Sequence, residues 1–443
     1  MQKWLGTLKK ETANTLRWLA PGLGVKRWFF LLLLGVTLLG VGLAYYLLDF
    51  YRSTAADDII SVLNVATLRF LPRLIRVVIF GGLGVFLIFL GIWGLNRALL
   101  NPFMRPGARL VDQIASYRRR ERGPRIVTLG GGHGMATLLR GLKNHTSNLT
   151  AVVTVADDGG SSGVLRQSLG ILPPGDIRNC LAALSNDEAL LAQLFQYRFS
   201  DDTGLGGHSF GNLFISALAE ITGSFEDAVT ESGRVLSVHG QVLPATLHDI
   251  RLVAEVRLPN TVNEIRVEGE SRIPSMPGRV RRVTIEPNNP SAFPPVIQAI
   301  LAADMIVIGP GSLYTSLLPN LLVPDLLAAI RASTAMKAYV VNIATQRGET
   351  AAYTCSDHIR VFEEHVGADL FDVIVYNNNY EGALPNGVDW VKLDQKAAVY
   401  PVFGADVLDA ERPWRHDSDK LAENLMDLLF ERKGPLALGN DEL

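Results

Sequence analysis

Cysteine is nearly absent: the 443 residues hold only Cys180 and Cys355, far apart, in unrelated contexts and without disulfide or metal-site spacing. Nothing in the chain asks for an oxidising compartment. Net charge of one sign is lacking too, since the formal total is -2. That small figure hides two opposite parts: residues 1–123 carry 17 Lys or Arg against 6 Asp or Glu, about +11, and the remainder carries 25 against 38, about -13. The acidic part has no diffuse positive field, so nucleic acid is not expected as a partner. Also missing are the Lys and Ser/Thr of an ATPase loop, a Ser-His-Asp order with a nucleophile elbow, and any internal repeat. The usual hydrolase and ATPase signatures are thereby excluded.

What the sequence does contain begins with two long uncharged runs, Trp28 to Leu48 and Val77 to Asn96. At 1.5 Å of rise per residue each reaches roughly 30 Å, the thickness of the hydrocarbon layer. We therefore expect a basic segment 1–27, a two-span anchor over 28–100 with spans at 28–48 and 77–96, and a juxtamembrane linker over 101–123. A cleavable signal peptide and a buried helical pair are the rivals. The first run starts late and is long for a signal peptide, and a second span follows it. Lys3, Lys9, Lys10, Arg17, Lys26 and Arg27 precede the first span, and Arg97, Arg105, Arg109, Arg118, Arg119, Arg120 and Arg122 follow the second. The positive-inside rule then places both termini and the main domain in the cytoplasm, at the inner face of the plasma membrane. A lipid bilayer is the partner this implies.

From Pro124 the pattern changes. Arg125 to Leu129 is a short apolar run punctuated by glycines, Met135 to Leu142 has helical spacing, and Leu149 to Val155 is a second buried run. Strand, glycine turn, helix, strand is a βαβ unit and demands a parallel sheet. Further strands are expected at Met305 to Ile308, Tyr339 to Ile343 and Val373 to Tyr376. Helices are expected at Glu188 to Tyr197, Gly211 to Ile221, Phe225 to Leu236, Pro295 to Ala302, and from near Ser312. The fold class is α/β, a Rossmann-like, mostly parallel sheet flanked by helices over 124–433. A small β-rich insertion at about 240–290 and a tail at 434–443 complete it. The insertion rests on Val256 to Ile285, which alternates, is heavily charged and is broken by prolines.

Several strand-end clusters carry candidate chemistry. Gly130, Gly131, Gly132, His133 and Gly134 follow a strand and open a helix, where free N–H groups receive phosphate. Packing alone is the bland alternative, and His133 either meets a phosphate or fills the turn. Asp157 and Asp158, ending the second strand, suit nucleoside hydroxyls or a Mg²⁺ completed by substrate phosphates; an Asp-Gly turn is the alternative. Asp176 reads as a helix cap, with Arg178 and Asn179 projecting from the first turn as a phosphate clamp. His208 and Asn212, four apart, can share a helix face. Gly309, Gly311 and Ser312 repeat the glycine-turn physics, with Ser312 as a modest N-cap. His358 and His365 can share a face, but no third metal ligand accompanies them.

At these same residues the chain resembles the CofD-like family, specifically its YvcK branch, the gluconeogenesis factors. The resemblance spans about Pro124 to Phe430 and rests on GGGHG at 130–134, VADDGGSSG at 155–163, LPPGDIRNCLAAL at 172–184, GHSFGNLF at 207–214, GPGSLYTSLLPNLLV at 309–323 and NIATQRGET at 342–350. The resemblance implies a Rossmann-like domain that binds UDP-sugars and influences carbon metabolism, envelope synthesis and cell shape. The neighbouring CofD branch comprises Mg²⁺-dependent transferases that join a phospholactate moiety to a deazaflavin. Carried over, Gly130 to Gly134 and Gly309 to Ser312 contact the nucleotide, and Asp157 and Asp158 sit near its phosphates or a Mg²⁺. The two added spans look like the arrangement of cyanobacterial members.

Two functions follow as expectations. The first is a membrane-anchored nucleotide-sugar-binding regulatory protein. The second is a Mg²⁺-dependent phospholactate-type or phosphoryl-group transferase in which Asp157 and Asp158 are catalytic, and a scaffold with a degenerate pocket is a third reading. Self-association into a homo-oligomer stays open.

Overall fold

A computed structural model describes residues 120–185, 189–200, 204–397 and 400–433, with scattered positions between 36 and 89. The chain divides into two compact units, Met1–Arg118 and Arg119–Leu443. The leader 1–27, most of the two uncharged runs, the linker up to residue 119 and the tail 434–443 lie outside the described residues. Among the described residues no single helix is long and apolar enough to cross a membrane.

The second unit is built on a seven-stranded sheet in the order β10-β9-β8-β7-β1-β2-β3. The strands are β1 (Ile126–Gly130), β2 (Leu149–Val153), β3 (Gln241–Pro244), β7 (Met305–Ile308), β8 (Met336–Val340), β9 (Val373–Asn377) and β10 (Val402–Ala405). Every pairing between them is parallel. Helices cover both faces of such a sheet, so its central strands read as continuous apolar runs; all of β1, β2 and β7 is buried. The expected mostly parallel α/β architecture is what the chain adopts.

Eleven α-helices surround the sheet among the described residues of this unit: α1 (Gly132–Leu142), α2 (Gly160–Leu169), α3 (Gly175–Leu184), α4 (Ala189–Gln196), α5 (Phe210–Thr222), α6 (Phe225–Val235), α7 (Pro294–Leu301), α8 (Leu318–Leu321), α9 (Pro324–Ala332), α10 (Cys355–Val366) and α11 (Ser418–Lys433). A π-helical turn, Leu313–Leu317, leads directly into α8. On α1, Met135, Leu138, Leu139 and Leu142 are all fully buried, at the i, i+3, i+4, i+7 spacing of one helix face. Burying each contributes about 1.5–3 kcal/mol. A flank of α1 meets α11 so closely that a Cβ on Gly141 would run into the Ser418 carbonyl and come within 2.7 Å of the Ala422 methyl.

The insertion is a separate antiparallel sheet in the order β5-β4-β6, made of β4 (Arg251–Arg257), β5 (Glu264–Glu268) and β6 (Arg279–Glu286). In β4 buried and exposed positions alternate towards its end, as expected of a sheet with one wet face. A 3₁₀ turn at Glu270–Ser275 joins β5 to β6. His365 on α10 pins the insertion down: its Nε2 accepts the Val283 N–H at 3.0 Å while Nδ1 meets the Val361 carbonyl at 2.7 Å.

Several boundaries differ from expectation. β8 begins and ends three residues before the run Tyr339 to Ile343, because Met336 and Lys337 already pair with Met305 and Ile306. The edge strands β3 and β10 are only four residues long and contain Pro244 and Gly404, so neither shows a strand signal. Helix α2 starts in a Gly-Ser stretch that reads as a loop and continues because Val164, Leu165 and their neighbours follow it.

Candidate functional site

In a doubly wound sheet, ligands bind beyond the carboxyl ends of the strands where the strand order reverses. Here the chain runs outward from β1 through β2 to β3, returns to place β7 on the other side of β1, and continues outward to β10. The reversal lies between β1 and β7, and Gly130–Gly134 and Gly309–Ser312 are the turns that leave those two strands. They are in contact. A Cβ on Gly134 would stand 2.5 Å from the Pro310 carbonyl oxygen and 3.2 Å from the Gly311 nitrogen. Gly132 has φ +65, a left-handed conformation that favours glycine.

The two turns are chemically unlike. No side chain caps α1, and among the described residues the N–H groups of His133 and Gly134 meet no acceptor. In the β7 turn two of the backbone donors are taken by side chains. Gly311 N–H donates to Asn342 Oδ1 at 3.2 Å and Tyr314 N–H donates to Glu349 Oε2 at 3.3 Å. The Glu349 carboxylate also accepts the Thr315 hydroxyl at 3.2 Å. Ser312 caps no helix with its side chain, contrary to expectation; its hydroxyl accepts from Gln346 Nε2 at 2.9 Å. This turn gives shape to the crevice, and the Glu349 carboxylate already occupies part of its helix start.

Cations gather at the open turn. Partial burial, and then the charges of Arg415, Arg178 and Arg140, hold the His133 imidazole below its ordinary pKa. Arg178, on the first turn of α3, is 7% exposed and forms no ion pair with a described residue. Its Nη1 donates to the Ser209 hydroxyl and its Nη2 to Asn179 Oδ1 at 2.9 Å, leaving Nε buried without a partner. Asn179 thus orients Arg178. Arg415 escaped the sequence reading because it lies far along the chain in a loop with no motif, and only the fold returns it to α1.

Carboxylates line the other side. Asp157 Oδ1 accepts the Gly159 N–H at 2.8 Å, and Asp158 Oδ1 accepts the Ser271 N–H at 2.9 Å. Asp158 therefore ties the tip of β2 to the insertion. Asp176 does not cap α3, whose N-cap is Pro174 with no side-chain bond. It is half-buried and accepts the Gly132 N–H, and desolvation together with the nearby Asp157 pushes its pKa up to about 6. Glu270, at the start of the insertion's 3₁₀ turn, is also pushed up, by burial first and then by Asp157, Asp176, Asp158 and Glu349. Its charge reads in the sequence as part of a solvated lid, so it was missed. Burial likewise raises Glu349 to about 7.

His208 and Asn212 do come together: both hydrogen-bond Ser161. His358 and His365 do not. His358 is fully buried with Nδ1 on the Thr354 carbonyl, and both ring nitrogens of His365 are engaged. For Mg²⁺, no three Asp, Glu, His or Cys residues converge as ligands among the described residues, and Asp157 and Asp158 each already use one oxygen. The pair fits an ion carried in by phosphate oxygens and water rather than one held by protein alone. A cleft of about 580 Å³ lies at the opposite, amino edge of the sheet, lined by residues including Arg125, Asn148 and Gln298. It holds none of the strand-end residues named above.

The family described as 2-phospho-L-lactate transferase CofD matches residues 126–427. A Nostoc sp. protein named as a candidate gluconeogenesis factor is 49% identical over 402 residues, covering 87% of this chain and 83% of its own length. The gluconeogenesis factor of Bacillus subtilis is 45% identical over 318 residues, 70% of this chain and 99% of its own. A crystal structure from Bacillus halodurans superimposes with a TM-score of 0.64 at 42% identity, covering 69% of this chain and 99% of that one.

Proposed function

Because the chain belongs to the CofD family, and within it to the gluconeogenesis-factor relatives, we propose that it is a nucleotide-sugar-binding regulatory protein. In this reading UDP-sugars are the ligand class, and carbon metabolism, envelope synthesis and cell shape are the processes it influences. The observation that carries the proposal is the pairing of free His133 and Gly134 amides with the incompletely partnered Arg178, at the reversal point of the sheet. Backbone donors at a helix start and a preset guanidinium bind a diphosphate without needing a general base. Asp157, one oxygen of which remains available, takes a hydroxyl of the nucleoside or sugar. The uncharged runs at 28–48 and 77–96 hold this domain at the cytoplasmic membrane face, where envelope precursors are made.

A second reading, a Mg²⁺-dependent transferase, draws on a different observation. Burial, and then the charge of Asp157 beside them, make Asp176 and Glu270 resist ionisation, and a divalent cation brought by phosphate would relieve the repulsive part of that cost. The ion would supply charge neutralisation at the transferred group. Asp157 and Asp158 would orient it.

The test is titration of the detergent-solubilised full chain with UDP-sugars, GDP and other nucleotides, with and without Mg²⁺, followed by product analysis. Saturable UDP-sugar binding without turnover, weakened about tenfold or more by Arg178→Ala, is the expected result. Metal-dependent consumption of a nucleotide substrate would transfer the assignment to the second reading. Equal affinity of Arg178→Ala and wild type would remove the proposed phosphate seat.

A further inference from the structure

Ser161 lies in the first turn of α2 and is 7% exposed. Its Oγ stands 3.0 Å from His208 Nδ1 and accepts from Asn212 Nδ2, also at 3.0 Å. A hydroxyl has one proton. Asn212 fills one of the oxygen's two lone pairs, and among the described residues His208 Nδ1 is the one acceptor within reach of the Ser161 proton; with the proton directed there, a neutral imidazole whose Nδ1 accepts carries its own proton on Nε2.

We infer that Ser161 and Asn212 are positioning residues that hold His208 as the Nε2–H tautomer, presenting a hydrogen-bond donor to a phosphate oxygen of the ligand. The neighbouring geometry favours a ligand contact over packing. Ser209, the next residue, is completely buried and accepts from both Arg178 Nη1 and the Asn212 N–H. The cluster contains two buried polar atoms without partners, Arg178 Nε and Asn212 Oδ1. A packed interior avoids such atoms, and their presence marks a place built for a polar guest. His208 itself is only half-buried. An N–H donor one residue from the atom that anchors a guanidinium matches an acceptor-only group such as phosphate. The donor's target rests on the nucleotide-sugar reading; the tautomer does not.

The test uses ¹⁵N-histidine-labelled full chain in detergent micelles. Long-range ¹H–¹⁵N correlation reports the tautomer, His208→Gln identifies the signal, and UDP is the ligand probe. Wild type is expected to show His208 protonated at Nε2 and not at Nδ1. Ser161→Ala is expected to give a mixed or reversed tautomer and an approximately 3- to 10-fold weaker UDP affinity. Ser161→Thr, which keeps the hydroxyl, is expected to restore both the tautomer and most of the affinity. Thermal unfolding of each variant separates this effect from loss of fold. A wild-type His208 protonated at Nδ1, or a Ser161→Ala protein with unchanged spectrum and affinity, overturns the inference. The expected tautomer in a wild-type protein that binds no UDP overturns the phosphate contact and the nucleotide-sugar reading, while the relay among Ser161, Asn212 and His208 stands.

Discussion

Asp176 and Glu349 are carboxyl groups that burial has made reluctant to ionise, with pKa values of about 6 and about 7. An unfolded carboxyl gives up its proton near pH 4, before either folded group does. As pH rises from about 4 to about 7 the unfolded state is therefore favoured, and stability falls, by on the order of 3 kcal/mol for each group. Asp176→Asn and Glu349→Gln should each remove part of that slope. Chemical denaturation at pH 4.5 and 7.5 checks it: each variant should gain on wild type at the higher pH, and parallel profiles would show that the group titrates normally. Asp176 could not be assigned from sequence. An acid in the first turn of a helix reads as a cap, and its bond to Gly132 exists only once α3 packs beside α1.

At the scale of elements, the central strands and α1 were legible because burial on both sheet faces and on one helix face leaves unmistakable periods in the sequence. The edge strands β3 and β10 were not, since pairing with a neighbour rather than their own pattern makes them strands. The glycine turns were legible as turns, but their difference was hidden: Asn342 and Glu349, which fill the β7 turn, come from a loop after the next strand. Gly134→Ala should press a methyl on the Pro310 carbonyl, part the two turns, cost about 1–3 kcal/mol of stability and reduce UDP affinity; unchanged melting and binding would show that the turns are not in contact. Asp158→Ala should release the Ser271 amide, so hydrogen exchange should accelerate across Glu264–Glu286 while the central strands stay protected. Uniform protection would mean that Asp158 does not hold the insertion.

Charge divides the whole molecule at about the place where its two compact units meet in sequence, near Arg118 and Arg119. A basic, apolar leader and an acidic second unit suit the proposed placement of the chain against an anionic bilayer. Full-length protein should accordingly sediment with membranes and resist extraction by high salt, whereas a chain lacking residues 1–118 should not; salt-extractable full-length protein would argue against spanning helices. The most direct measurement is a structure of the protein with a bound UDP-sugar. The account predicts the diphosphate over the His133 and Gly134 amides, within hydrogen-bond reach of Arg178. A diphosphate in the amino-edge cleft beside Arg125 and Gln298 would contradict it.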